Sequence, residues 1–274
     1  MAVYVDDAGI AATVGMRRAR WSHLTADTVE ELHAFATRLG LRRSWFQDPS
    51  HRKQFPARLG SPAAEMWHYD VTEAKRRQAI RMGACPVTTA QSLAIAEIRP
   101  MARAVEACGW SGVVLPRTRV SDFMVYPVVT IHRDVWATRV ERGHGPELDR
   151  STLALWESWT ADLGEMPPRP AVSITGFATA ATKPQAALAA LDSLAGYGAG
   201  LWIAPGRRGP AALTLGEFDL AGIWVVRNHS GRCEVVVEGR TGPIATARRM
   251  VSTRHKEEQL FGWAIARRSS PRDQ

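Results

Sequence analysis

Five acidic and imidazole side chains near the start of the chain have the types and spacing of a catalytic site. Asp6 and Asp7 directly follow the apolar run VYV, His23 lies in the next segment, and His68 and Asp70 belong to the stretch MWHYDV. In open α/β sheets, sites gather beyond the carboxyl ends of parallel strands. If the two acidic strands end at one edge of such a sheet, their carboxylates meet there.

Carboxylates gathered in this way repel one another and are stabilised by a hard divalent cation. We therefore expect Asp6, Asp7 and Asp70 to bind Mg²⁺ or Mn²⁺. The catalytic side chains are then Asp7, Asp70 and the imidazoles of His23 and His68, which titrate near neutrality and serve as ligand or general base. An ion of this kind with its bound water hydrolyses or transfers phosphate esters.

Basic and aromatic residues surround the acidic ones in the sequence. Arg17, Arg18 and Arg20 lie between the two acidic segments, and guanidinium groups hold phosphates well. We expect Arg17 and Arg20 in particular to contact the phosphate of a nucleotide. The aromatic residues of these segments either stack on a nucleotide base or pack in the core: Trp21, Trp45, Trp67 and Tyr69.

The same acidic residues also have an ordinary structural interpretation. Adjacent residues of a regular strand point to opposite faces, so Asp6 and Asp7 cannot both face one site. An aspartate just before a helix is commonly its N-cap, which would explain Asp70 as well as Thr72. Asp6 would then cap a turn. From the sequence alone, both interpretations stay open.

The elements that would position these residues follow from the sequence pattern. Thr28 and Glu31 have the spacing of a capping box, and the helix they begin ends at Gly40. SWFQ and MWHYDV are predicted strands, TEAKRRQAIRMGA is a helix, and TVGMRRARWSHLTAD is a loop. The alternation of strands and helices predicts a small N-terminal α/β layer fold with part of its sheet parallel.

The remaining chain is predicted to form two further regions. Residues 1–95 make up the first domain, 96–165 a mixed connecting region, and 166–274 a C-terminal α/β sandwich. The last region reads as two helices on a four-stranded sheet, and a ferredoxin-like arrangement is one candidate. Its long final helix is predicted from Thr241 to about Ala266. The fold class is α/β throughout.

The first third of the chain also resembles a known family. VYVDD, WSHL, EELHAFATRLGL, WFQ, HYDVTEAKRRQAIRMGA and PVT follow in the order of domain of unknown function family 4031, a short bacterial and phage family. The resemblance covers about residues 1–90 and implies a phage-associated protein, but it brings no activity. This chain has a longer segment between WFQ and HYD, and about 180 residues follow that the family does not cover.

A second candidate function rests on the basic C-terminal helix. Its polar positions include Arg248, Arg249, Arg254 and Lys256, which would form a positive strip that follows phosphates. The alternative to an enzyme is therefore a non-catalytic module that binds nucleic acid or a protein. The strip would equally be a solvated face, because Glu257 and Glu258 partly neutralise it.

Composition narrows the location of the protein more than its activity. The formal net charge is +8, compatible with a nucleic-acid or nucleotide partner. Three widely spaced cysteines without a CxxC pair argue against a disulfide framework or a zinc site. We see neither an apolar run long enough to span a membrane nor a secretory signal, and we therefore expect a cytoplasmic protein without a membrane partner.

Overall fold

The structure is a computed structural model that describes residues 2–14, 17–57, 62–205, 209–229 and 232–268. The chain divides into two compact units, residues 1–100 and 101–274. Both mix helices and strands, which confirms the α/β class. Residues 101–165, which the sequence assigned to a connecting region, lie within the second unit. Among the described helices, none combines the length and the apolar character needed to cross a membrane.

The N-terminal unit is built on one mixed sheet. Its strands are β1 (Val3–Val5), β2 (Ile10–Val14), β3 (Arg17–Ala26), β4 (Phe46–Gln47), β5 (His68–Thr72) and β6 (Cys85–Pro86). The sheet order is β4-β5-β3-β1-β6, with β2 paired to β3. Only the β1–β6 pair is parallel, and the other described pairs are antiparallel. The helices are α1 (Val29–Arg38), α2 (Glu73–Arg81) and α3 (Thr89–Ala107), which continues into the second unit.

The caps predicted for the first helices are present. Thr28 Oγ1 accepts a hydrogen bond from the Glu31 N–H at 3.2 Å, and Gly40 adopts a φ of 78° just after α1. Thr72 caps α2 by accepting from the Lys75 N–H. These local signals work because each side chain satisfies a backbone amide that the first helical turn leaves unpaired.

One N-terminal prediction was wrong. The segment predicted as a loop forms the hairpin β2–β3, in which Thr13 pairs with Arg18 and Ile10 with Trp21. The run of arginines obscured the alternation of this strand, on which Arg18 and Arg20 occupy exposed positions. Helix α3 continues through Pro100 without a break. Arg99 helps hold this helix in place, because its guanidinium donates to the Glu65 carbonyl at 2.7 Å and stacks on Trp67.

One face of the N-terminal sheet carries the core. Leu24, Tyr69 and Val71 are at most 1% exposed and pack with residues of α1 such as Leu32 and Phe35. Because side chains alternate along a strand, the residues between them emerge on the opposite face. Hydrophobic burial on one side therefore fixes which polar side chains appear together on the other.

The second unit has a larger mixed sheet. Its strands are β7 (Val113–Val114), β8 (Thr118–Val120), β9 (Phe123–Ile131), β10 (Val172–Thr179), β11 (Ala199–Ala204), β12 (Trp224–His229) and β13 (Arg232–Val237). The order is β13-β12-β11-β10-β9-β7, with β8 paired to β9. Because β10, β11 and β12 are mutually parallel, the four-stranded ferredoxin-like candidate does not describe this sheet.

Helices connect and cover these strands. They are α4 (Arg133–Glu141), α5 (Arg150–Glu157), α6 (Pro184–Ser193), α7 (Ala212–Leu220) and α8 (Val251–Arg268). Trp202 of β11 is 1% exposed and stacks on Phe218 of α7, with ring centroids 4.5 Å apart. The final helix starts later than predicted, because Arg240 and Ile244 donate backbone hydrogen bonds to Gly222 and Ala195 instead of entering a helix.

Candidate functional site

Three strands bring the predicted imidazoles and one carboxylate onto a single face. In the antiparallel register His23 of β3 lies opposite Asp70 of β5, and Gln47 of β4 lies opposite His68. His68 and Asp70 are two residues apart on one strand and so share a face. From the sequence we expected these side chains to meet at the carboxyl ends of parallel strands. The structure instead assembles the group across neighbouring antiparallel strands.

His23, His68 and Asp70 form a compact group of candidate metal ligands. One ligand atom from each side chain lies within 4.8 Å of the other two. The two imidazole rings meet edge to face, with centroids 4.8 Å apart. His68 is buried, whereas the side chains of His23 and Asp70 keep 25% and 29% of their surface exposed. The group is therefore anchored in the protein and open to solvent on one side.

Asp6 orients His23. Its Oδ1 accepts the His23 backbone N–H at 2.7 Å, and its Oδ2 lies 2.7 Å from the ring Nδ1 of His23. Burial opposes the negative charge of Asp6, which is 1% exposed, but the hydrogen bonds with His23 outweigh it and lower the pKa of Asp6. An ionised carboxylate only accepts hydrogen bonds, so Nδ1 of His23 carries a proton. This leaves Nε2 as the atom available to a ligand.

The same pair sets the charge of His23. The hydrogen bond to Asp6 raises the pKa of His23 above its usual value, and burial only partly offsets this effect. Asp6 thus both fixes the orientation of the ring and increases its basicity. A buried carboxylate behind an imidazole is the common support of metal-bound histidines.

His68 is fixed by a backbone group. Its Nδ1 lies 2.6 Å from the Met66 carbonyl oxygen, which accepts only, so Nδ1 is the donor. Burial lowers the pKa of His68 below its usual value, and the ring is therefore neutral near neutrality. Its Nε2 lies 3.6 Å from Asp70 Oδ1, too far for a good hydrogen bond. Nε2 of His68 therefore faces Asp70 without a close hydrogen bond to it, and its lone pair can bind a metal ion.

Asp70 is held by a residue that sequence reasoning missed. Gln47 Nε2 donates a short hydrogen bond to Asp70 Oδ2, which leaves Oδ1 on the side of His68. The helix after β5 is capped by Thr72, so the N-cap interpretation of Asp70 does not hold. The signal for Gln47 was its place in the predicted strand SWFQ, but a two-residue strand gives no register from sequence alone.

Asp7 lies outside this group. Its Oδ1 accepts hydrogen bonds from the backbone N–H and the hydroxyl of Thr89, at 2.8 and 3.1 Å, at the start of α3. The adjacent Asp6 is buried against His23. The two carboxylates therefore point in different directions, as expected for adjacent residues of an extended chain. Asp6 supports the site, and Asp7 contacts the start of a helix.

The spacing within the group fits a metal ion. Two ligand bonds of about 2.1 Å subtend roughly 118° when their ends are 3.6 Å apart, the separation of His68 Nε2 and Asp70 Oδ1. That angle is close to tetrahedral. Tetrahedral ligands at this bond length lie about 3.4 Å apart, so atoms within 4.8 Å of one another have to approach by at most roughly 1.4 Å to share one ion.

Two arginines bring positive charge near the group. Arg76 of α2 donates its Nε–H to the Asp6 carbonyl at 2.7 Å. The charge of Arg52, an exposed residue, is one of the influences that lower the pKa of His68, after burial itself. Arg18 and Arg20 are exposed on β3, whereas the side chain of Arg17 lies outside the described residues. Arg52 and Arg76 were not predicted. Arg76 is only six residues from Asp70, but it belongs to the predicted helix TEAKRRQAIRMGA, whose direction relative to the site the sequence does not give.

The aromatic residues divide between core and surface. Trp67 and Tyr69 are 5% and 1% exposed, and Tyr69 shares a hydrogen bond of 2.8 Å with Nδ1 of His33, so both belong to the core. Trp21 and Trp45 instead line a cavity that also contains Asp70. Only these two of the four are placed to contact a bound molecule.

The predicted basic strip of the last helix is largely taken up by ion pairs. Arg254 is 3% exposed, and its Nε bonds to Glu258 Oε1 at 3.0 Å. Arg249 bonds to Glu257 Oε2 at 2.8 Å and to Glu157 Oε2 at 3.0 Å. The Lys256 ammonium lies 4.5 Å from the ring centroid of Tyr197. Arg248 is exposed, but one arginine does not make the continuous strip that was expected.

Comparison with known proteins identifies the first unit only. Residues 3–99 match a family described as "protein of unknown function (DUF4031)", so the N-terminal unit is a domain of that family. The whole candidate group lies within this match, and about two thirds of the chain lies beyond it. No curated protein and no solved structure matches the chain.

Proposed function

We propose that the N-terminal unit is a metal-assisted enzyme that hydrolyses or transfers a phosphate ester of a nucleotide or nucleic acid. The observation that carries the proposal is that His23, His68 and Asp70 each have a second polar atom held in place. Asp6 holds His23, the Met66 carbonyl holds His68, and Gln47 holds Asp70. Side chains fixed on one side, with lone pairs converging on the other, form the arrangement that metal ligands require.

The donor set favours Mn²⁺ over Mg²⁺. Mg²⁺ takes oxygen ligands in a nearly ideal octahedron, whereas two imidazoles and one carboxylate suit Mn²⁺, Zn²⁺ and similar ions. Three protein ligands leave positions for water and for a substrate oxygen. A bound ion lowers the pKa of its water and so generates hydroxide near neutrality, while polarising the phosphate. Arg52 and Arg76 supply positive charge at the group, which suits an anionic substrate.

Metal titration of matched variants tests the binding step. Isothermal titration with Mn²⁺, Zn²⁺ and Mg²⁺ is expected to give one site in the wild-type chain for Mn²⁺ or Zn²⁺. Asp70→Asn removes a charged ligand and is expected to abolish that site. Asp7→Asn makes the same chemical change beside the group, on a residue bonded to Thr89, and is expected to keep it. Equal binding by both variants would refute the proposed ligands.

An activity assay tests the chemical step. Bis(p-nitrophenyl) phosphate and p-nitrophenyl phosphate separate diester from monoester hydrolysis. Turnover that requires Mn²⁺ or Zn²⁺ and disappears in Asp70→Asn and in His68→Gln supports the proposal. Turnover that persists in either variant at the wild-type rate would contradict it.

A further inference from the structure

A cavity adjoins the proposed metal group. It has a volume of about 600 Å³, and its lining includes Trp21, Trp45, Phe46, Gln47, Asp70 and Lys75. Asp70 belongs both to this lining and to the group of candidate ligands. The volume lies within the range of ordinary small-molecule sites. A molecule bound in the cavity would therefore have one end beside the metal.

The walls of the cavity include two indole rings, one held by a hydrogen bond and the other half exposed. Trp21 is fixed, because its Nε1–H donates to the Ala12 carbonyl at 3.0 Å. Trp45 is 50% exposed, and the Arg42 guanidinium lies 5.7 Å from its ring centroid. Large aromatic surface left open next to a cavity is typical of sites that stack planar ligands.

Polar groups stand beside these rings. Gln47 uses its Nε2–H on Asp70, which leaves its Oε1 as an acceptor. The Lys75 ammonium donates to the Leu39 carbonyl at 2.6 Å and to Gln78 Oε1 at 3.1 Å, and its third N–H is left for a ligand. An acceptor, a donor and aromatic faces together match the edge and faces of a heteroaromatic base.

We propose that this cavity binds the base of a mononucleotide, so that the phosphate ester lies against His23, His68 and Asp70. The inference rests on the proposed function, because it names the substrate class of the same site. The base stacks on the indole of Trp45, and Trp21 is a further wall of the cavity. The phosphate extends past Asp70 to the metal, where the charges of Arg52 and Arg76 favour it.

The test compares ligands with and without a base. Isothermal titration in the presence of Mn²⁺ is run with AMP, GMP, CMP and UMP, and with ribose 5-phosphate. At least one nucleotide is expected to bind more tightly than ribose 5-phosphate, by roughly 5- to 150-fold, the worth of one stacked base. Equal affinities for all five compounds would overturn the inference.

Variants separate the cavity from the metal group. Trp45→Ala is expected to remove most of the advantage of a base and to leave Mn²⁺ affinity unchanged, while Trp45→Phe keeps much of that advantage. Trp263→Ala is the control, because Trp263 is also about half exposed but belongs to the second unit. If Trp45→Ala folds and binds nucleotides like the wild type, the inference is wrong.

The same titrations distinguish failure of the inference from failure of the proposed function. If Mn²⁺ binds at Asp70 but nucleotides bind no better than ribose 5-phosphate, only the inference falls. If Mn²⁺ does not bind, yet adenosine without phosphate binds and Trp45→Ala loses it, the cavity is a base site and the metal-assisted function falls.

Discussion

Asp6 and His23 face each other across strands β1 and β3, and two bonds of 2.7 Å join the Asp6 carboxylate to the backbone and ring of His23. Asp6 lies behind the candidate metal group, to which His23 belongs, rather than within it. Asp6 is 1% exposed and cannot reach a bound ion while it holds His23. Its role in the account is to fix the ring so that Nε2 faces His68 and Asp70.

Replacing Asp6 is therefore expected to weaken metal binding without removing a ligand. Asp6→Asn takes away the charge that keeps Nδ1 protonated, and changes to such supporting carboxylates typically cost about 10- to 100-fold in metal affinity. Isothermal titration with Mn²⁺ measures this loss, and circular dichroism checks that the fold is retained. Wild-type affinity in a folded Asp6→Asn protein would contradict the supporting role.

Metal binding is expected to depend on pH through His23. The pKa of His23 is raised and that of His68 is lowered, so as pH falls His23 is the first of the two to gain a proton on Nε2. Protons then compete with the metal, and Mn²⁺ affinity drops as pH falls through the raised pKa of His23. In Asp6→Asn the drop moves to lower pH. Affinity independent of pH between about 5.5 and 8 would contradict imidazole ligation.

A buried ion pair in the second unit predicts a large stability difference. Arg139 and Glu258 are 2% and 1% exposed and share two bonds of 2.8 Å. Arg139→Met leaves the Glu258 charge without this partner and is expected to cost about 3–5 kcal/mol in free energy of unfolding. Arg142→Met is the control, because Arg142 pairs with exposed Glu165 and is expected to cost less than about 1 kcal/mol.

Urea denaturation of the wild type and both variants measures these differences. Equal losses of unfolding free energy in Arg139→Met and Arg142→Met would contradict the prediction that the buried pair stabilises the fold more than the exposed pair. The pair joins α4 to α8, so a large loss would also locate the final helix in the cooperative core of the second unit.

The cysteines are expected to differ strongly in reactivity. Cys85 is exposed, whereas Cys108 is buried and burial raises its pKa to about 12. Because the thiolate is the reactive form, Cys108 stays unmodified by a disulfide reagent at about pH 8 in the folded protein. Mass spectrometry after brief labelling identifies the modified residues. Cys85→Ser should remove the fast reaction, and rapid labelling of Cys108 would contradict the burial.

The sequence was most informative where a signal is local. The capping pair Thr28 and Glu31 and the glycine after α1 act within a few residues, and the predicted helix is there. The strand at Asp70 was also predicted. Its pairing with β3 and β4 was not predicted, because pairing in a sheet depends on hydrophobic burial and on turns distant in sequence.

The candidate site illustrates the same limit. Sequence reasoning selected His23, His68 and Asp70, and the structure brings them together. It assigned His23 to a loop and named both Asp6 and Asp7 as metal ligands, although adjacent residues of a strand face opposite ways. The register of β3 against β1 and β5 shows that Asp6 is the acid that supports His23, and the pairing of β4 with β5 adds Gln47. In the C-terminal helix, Arg254 looked like surface charge because its partners Glu157 and Pro168 come from distant segments.

The most direct test is to locate the metal itself. A crystal of the full chain soaked in Mn²⁺ and measured at the manganese absorption edge gives an anomalous difference map. We expect a peak about 2.1–2.3 Å from His23 Nε2, His68 Nε2 and a carboxylate oxygen of Asp70, with Asp6 still bonded to Nδ1 of His23. A crystal with manganese bound elsewhere and no peak between these three side chains would contradict the central claim.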